Sequence, residues 1–167
     1  MNERQRLGFG LGGLFLVIAV FIIYLSWPLM TGTEVVLDTR PVDPFDIFRG
    51  QYMAIRYDIS SLPAPIDATP GDTVYVSLIQ NGSVWSYAGA SLSRPDGLFI
   101  KGRVTNVYGD TMNVEYGIEQ YFFEKSAEVP TSNITVKAKI GGDGTARIVE
   151  LLQNGKPAVI TYEKNIS

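Results

Sequence analysis

From Leu7 to Met30 the chain reads LGFGLGGLFLVIAVFIIYLSWPLM, and no charged residue occurs between Arg6 and Glu34. Those 24 residues make an α-helix about 36 Å long, against a hydrocarbon core of roughly 30 Å. A helix packed inside a water-soluble domain would carry a polar stripe at 3.6-residue spacing, and this run has none. The run therefore predicts a transmembrane helix over residues 7–30. Arg4 and Arg6 precede it, while Glu34 and Asp38 follow it before the first later basic residue, Arg40. Positive charge stays inside, so the expected layout is a cytoplasmic tail (1–6), a single span of the cell membrane, and an extracytoplasmic domain (34–167). Tyr24 and Trp27 suit the outer headgroup zone, and Pro28 marks the exit. A cleaved signal peptide is the rival reading. Its apolar core would be about 7–15 residues and end in a small-x-small site, which Thr31-Gly32-Thr33 only approaches.

The run also contains Gly8-x-Gly10-x-x-Gly13, formally a dinucleotide fingerprint. That motif needs a strand before it and a helix start within it, so here it carries no such meaning. Gly8 and Gly12 form a G-x-x-x-G pair, a face on which another membrane helix packs closely; glycine is also simply common in such helices.

Residues 34–167 are a common length for one domain with its own core. The whole chain carries −3, and residues 1–33 hold two basic and one acidic side chain, leaving −4 for the rest. Such a domain has no basic footprint for nucleic acid or anionic lipid. Cysteine and histidine are absent, which removes Cys/His zinc sites, thiol catalysis and His-based triads; no cofactor or metal is expected.

Within 34–167 the pattern is that of short strands. Residues 34–38 (EVVLD) are a short strand candidate directly after the anchor. Asp43-Pro44 followed by Asp46 and Gly50 reads as a single capped helical turn. Over 51–59, Met53, Ile55, Tyr57 and Ile59 fall on one face of a strand. Pro63, Pro65 and Pro70 make 60–70 a loop. Asn81-Gly82 predicts a hairpin between 72–80 and 83–90, and Tyr108-Gly109-Asp110 one between 98–107 and 111–116. Ile118, Tyr121 and Phe122 suit a short helix or a bent strand. Alternation over 134–140, then Gly141-Gly-Asp-Gly144 and Asn154-Gly155, predicts a three-stranded meander. The expected fold is all-β, a sandwich or partly open antiparallel barrel with at most one short helix, behind the membrane helix.

Pro41-Val-Asp-Pro44 and Phe48-Arg-Gly-Gln-Tyr-Met-Ala-Ile-Arg-Tyr57 together resemble the GDYXXLXY family of membrane-anchored bacterial proteins. Gly50, Tyr52 and Tyr57 match its motif; Gln51 stands in place of the Asp and Ile55 in place of the Leu. Lys101-Gly-Arg103-Val104 and Tyr116 to Phe122 also look like family positions. The resemblance implies one N-terminal helix, a β-rich outer domain, no established activity, and a multispanning membrane protein as partner. It marks Arg49, Gly50, Gln51, Tyr52, Ile55, Tyr57, Lys101 and Arg103 as motif positions open to interaction. Read physically, Gly50 supplies a backbone conformation and Tyr57 packs in the core; Arg49 and Arg56 are open to an anionic ligand, with pairing to Asp43, Asp46 or Asp58 the favoured use.

The function expected is that of a non-catalytic interaction or accessory domain held at the membrane. A ligand-binding domain for carbohydrate or cell-wall fragments, using Trp85, Tyr87 and Tyr108, is the alternative. An enzyme would need a Ser–Lys dyad or paired carboxylates such as Asp110, Glu115 and Glu119. Residues 31–59 contain no serine to pair with Lys101, and no carboxylate spacing stands out. Asn81, Asn133 and Asn165 begin Asn-x-Ser/Thr triplets.

Overall fold

The computed structural model describes residues 3–40, 52–122, 127–128, 132–159 and 161–162, with side chains for 10–26, 31–40, 53–122 and 132–159. The expected helical turn over Asp43–Gly50 lies outside them. Helix α1 (Glu3–Thr31) continues one turn past Pro28, so that proline does not end it. Side chains from Gly10 to Leu25 are exposed on every side of it. Among the described residues no helix is long and apolar enough to cross a membrane.

Gly32 alone separates α1 from β1 (Thr33–Arg40), in which Val35 and Leu37 are buried and their neighbours are not. The strand expected over 51–59 is divided: β2 (Tyr52–Ala54), β3 (Arg56–Tyr57), a 3-10 turn (Asp58–Ser60), then β4 (Ser61–Pro63) inside the stretch expected to be loop. Met53, Ile55, Tyr57 and Ile59 are all buried, as the alternation requires. The two hairpins follow: β5 (Thr73–Asn81) with β6 (Val84–Ser91), and β7 (Phe99–Tyr108) with β8 (Thr111–Glu115). β9 (Gln120–Phe122) is a strand, not a helix. After β10 (Ala127–Glu128) come β11 (Ile134–Ile140), β12 (Ala146–Gln153) and β13 (Lys156–Pro157), the expected meander, and β14 (Thr161–Tyr162). Asn154 and Gly155 both take positive φ (52° and 76°), the geometry a two-residue hairpin turn demands.

The pairings join these strands in the order β13-β12-β11-β1-β6-β5-β7-β8-β4, with β3 on β1 and two small side ladders, β2-β9 and β10-β14. One pairing corrects the antiparallel expectation: β1 runs parallel to β6, with Leu37 opposite Trp85, so the sheet is mixed. These two strands are distant in sequence and no hairpin dictates their direction. β1 gives Thr33–Asp38 to β11 and Thr39–Arg40 to β3. Since β3 leads through the 3-10 turn into β4, and β4 pairs with β8, the pairings run round a closed path from β1 back to β1. Inside it lies one continuous apolar core, centred on Leu37, Tyr57, Val74, Val76, Ile100 and Met112, all fully buried.

Gly102 of β7 is where that core is tightest. A β-carbon there would overlap Val114 Cγ1 and lie 2.9 Å from Tyr116 Cδ1 and 3.0 Å from the Glu115 carbonyl oxygen. Neither a β-branched side chain nor a strand backbone yields easily, so Gly102→Ala is expected to cost about 1–3 kcal/mol, read as a lowered melting temperature of the full chain in detergent.

Candidate functional site

The motif strand and the segment 111–122 form one long antiparallel ribbon that is open in the middle. At one end Tyr52, Met53 and Ala54 pair with Phe122, Tyr121 and Gln120. At the other, Ser61, Leu62 and Pro63 pair with Asn113, Met112 and Thr111. Ser61 is seven positions beyond Ala54, and Gln120 seven beyond Asn113, so both ends hold the same register. Between them the strands part, because Arg56 and Tyr57 turn to β1, opposite Arg40 and Thr39.

Backbone groups freed by this opening need new partners. The Ile55 amide donates to the Glu119 carbonyl at 2.7 Å. The Tyr57 hydroxyl donates across the gap to the Ile118 carbonyl at 2.6 Å, and the Tyr116 hydroxyl donates back to the Ile59 carbonyl at 2.5 Å. The Tyr57 amide donates to Ser60 Oγ at 3.0 Å, which closes the 3-10 turn. On the facing side the Glu119 carboxylate accepts from the Tyr116 amide and, at 2.8 Å, from the Gly117 amide. Gly117 has φ 80°, which a glycine reaches without strain. Both tyrosine hydroxyls are held well above the usual phenol pKa, first by burial and then by the charge of Glu119.

Two clefts flank the opening. The larger, about 560 Å³, is walled by Arg40 and Arg56 on one side and by Asn106, Asn113, Glu115 and Glu119 on the other. The smaller, about 240 Å³, is lined by Leu37, Asp38, Asp58, Ile59, Trp85 and Tyr87, and lies beside the parallel β1–β6 contact. Burial, and then Asp58, raises the Asp38 carboxyl above its ordinary value. Arg40 Nε lies 3.0 Å from Asp58 Oδ1 between two largely exposed side chains, an ion pair that adds little stability.

The expected site residues fall in several places. Arg49, Gly50 and Gln51 lie outside the described residues, as do Asp43 and Asp46. Tyr52 stands in β2, Ile55 is buried at the edge of the opening, and Tyr57 is fully buried, the core role its strand face implied. Asp58 pairs with Arg40, a partner the sequence did not single out; Arg56 is exposed and lines the larger cleft. Arg103 lies opposite Glu115. Lys101 sits apart from the opening, its Nζ 3.9 Å from Asp143. Gly8 and Gly12 are both helical, and Gly12 has open space where a β-carbon would stand.

The three aromatic rings expected to make one platform do not. Trp85 and Tyr87 are half-buried against the core beside the small cleft. Trp85 pairs with Gln80 near one end of β5, whereas Tyr108 is 70 % exposed, beyond the opposite end of that strand where Thr73 meets Arg103. Of the three carboxylates, Glu119 is committed to its turn, Glu115 stands on β8, and Asp110 is at the hairpin tip, its carbonyl accepting from the Ala64 amide at 2.8 Å. Arg40 and the facing Asn106 and Asn113 were not singled out from the sequence. The alternation of Met112, Val114, Tyr116 and Ile118 was the available signal that this segment continues as the partner of the motif strand.

Tyr57→Phe leaves the Ile118 carbonyl buried without its donor and is expected to cost about 1–3 kcal/mol in equilibrium unfolding of the full chain. A phenol with a raised pKa in the folded state favours folding below its ordinary value near 10, and that contribution is lost as pH rises above it. Stability should therefore hold up to about pH 10 and fall progressively as pH rises above it, more shallowly in the Tyr57→Phe, Tyr116→Phe double variant. Absorbance of phenolate at alkaline pH should show these two rings ionising only as the fold is lost.

A family model described as GDYXXLXY protein matches residues 14–151. No curated protein and no solved structure matches the chain.

Proposed function

The chain belongs to the GDYXXLXY family, and from that premise we propose that it is a membrane-anchored, non-catalytic accessory domain that binds an integral membrane protein. Residues 7–30 serve as the single span, residues 1–6 lie in the cytoplasm, and the β-rich body faces the outside. The carrying observation is the surface of α1: from Gly10 to Leu25 its side chains are exposed, and they include Leu14, Phe15, Leu16, Val17, Phe21 and Ile22. An apolar surface of that extent is costly in water at about 25 cal/mol per Å², and a bilayer or a neighbouring helix removes the cost. The full apolar run is longer than the part described with side chains, and the preceding arginines orient it. Support for a binding rather than catalytic role comes from the use of the motif itself: Ile55 and Tyr57 are spent on the core and on the Ile118 hydrogen bond.

The test is to exchange residues 7–30 for an unrelated single-span helix and purify both chains from solubilised membranes. The expected result is that the native chain brings down a multispanning protein and the exchanged chain, equally abundant in the membrane fraction, loses it. Recovery of the chain in the soluble fraction, or of a mature N-terminus near Thr33, would end the anchor reading.

A further inference from the structure

We propose that the larger cleft, over the open middle of the motif ribbon, binds an acidic saccharide through Arg56. This is a ligand site additional to any membrane partner.

Charge accounting in the cleft comes first. Arg40 and Arg56 face each other across the β1–β3 ladder, an arrangement of like charges that is unfavourable unless something compensates it. Asp58 compensates Arg40 at 3.0 Å. Glu119 keeps its negative charge but is held in its own turn by two backbone amides, and Glu115 lies opposite Arg103 on the neighbouring strand. Among the described residues no carboxylate comes within ion-pair distance of Arg56. One guanidinium, with five donors set for a planar carboxylate, is therefore left facing a cleft of about 560 Å³.

The rest of the lining selects among anions. Ser60, Ser61, Asn106 and Asn113 supply hydroxyl and amide groups that both donate and accept, which matches a ligand rich in hydroxyls. Among the described residues lining the cleft the aromatic one is Tyr57, whose ring is fully buried, so none of these offers a face for stacking a neutral sugar. Recognition must then depend on the acid group. The cavity volume lies within the usual range for small-ligand sites, about 300–1,000 Å³, and exceeds what a lone phosphate needs. Arg40 is also the last residue of β1, seven residues or about 23 Å along the strand from Thr33 beside the helix, which separates the cleft from the end of α1.

Calorimetric titration of the full chain in detergent tests this, with trigalacturonate, maltotriose and inorganic phosphate as probes. Trigalacturonate should bind, maltotriose and phosphate should bind at least about tenfold more weakly, and Arg56→Gln should weaken trigalacturonate about tenfold or more. Lys101→Gln, which removes a positive charge elsewhere on the body, should leave binding unchanged. Arg56 is exposed, so the Arg56→Gln chain should keep its melting temperature, which separates a lost contact from a lost fold. The proposal is overturned if trigalacturonate does not bind, if Arg56→Gln binds it as well as the unsubstituted chain, if Lys101→Gln weakens it equally, or if phosphate alone binds as tightly. Each result is read on the purified chain and is independent of whether a membrane protein co-purifies with it.

Discussion

Two phenolic hydroxyls, each reaching the backbone of the other's strand, hold the motif ribbon together where its ladder fails. Tyr57 donates to Ile118 and Tyr116 donates to Ile59, and between these bonds the strands have parted to let Arg56 and Tyr57 pair with β1. Without the crossed pair, two carbonyls would be buried unpaired in an apolar interior, which costs more than an ordinary hydrogen bond returns. With it, one segment can belong to two ladders in succession, first β1 and then β8, and the path of pairings closes. The last tyrosine of the family motif is thus a structural device. What it makes room for is a polar cleft lined by Arg56, which among the described residues has no carboxylate within ion-pair distance.

Local features were legible in the sequence because their causes are local. Asn81-Gly82 and Asn154-Gly155 sit at hairpin turns, and the glycine of each takes the positive φ that its turn needs. Alternation placed Met53, Ile55, Tyr57 and Ile59 on the buried face although the strand carrying them is interrupted at Ile55 and gives way to a 3-10 turn at Asp58. The side-chain period survives such a break, whereas the ladder partner does not. Pairings between distant segments leave no mark in a single sequence, so the parallel β1–β6 contact, the shared edge of β1 and the seven-residue opening were not legible. The same limit hid the cleft. Arg40, Arg56, Asn106 and Asn113 come from four separate strands, and only the register brings them together. The Arg40–Asp58 pair was hidden for that reason: Arg40 is eighteen residues away in sequence but adjacent across the ladder.

The apolar helix and the β body answer to different physics. In the body, apolar side chains are hidden and the polar ones left outside, the usual result of folding in water. In α1 the apolar side chains point outward around the whole circumference, which suits a non-aqueous surrounding. Family membership covers both parts, since the match begins inside the helix and runs into β12. The polar cleft and the apolar rod lie at opposite ends of β1, so an apolar and a polar surface share one continuous backbone.

One residue, Gly32, separates the rod from a strand that has neighbours on both edges. So short a joint works as a stem rather than a leash, and the body has little freedom to swing. Its reach is then that of a fixed bracket: it samples whatever stands beside the rod at one height, and a tilt or rotation of the rod is transmitted directly into the middle of the sheet.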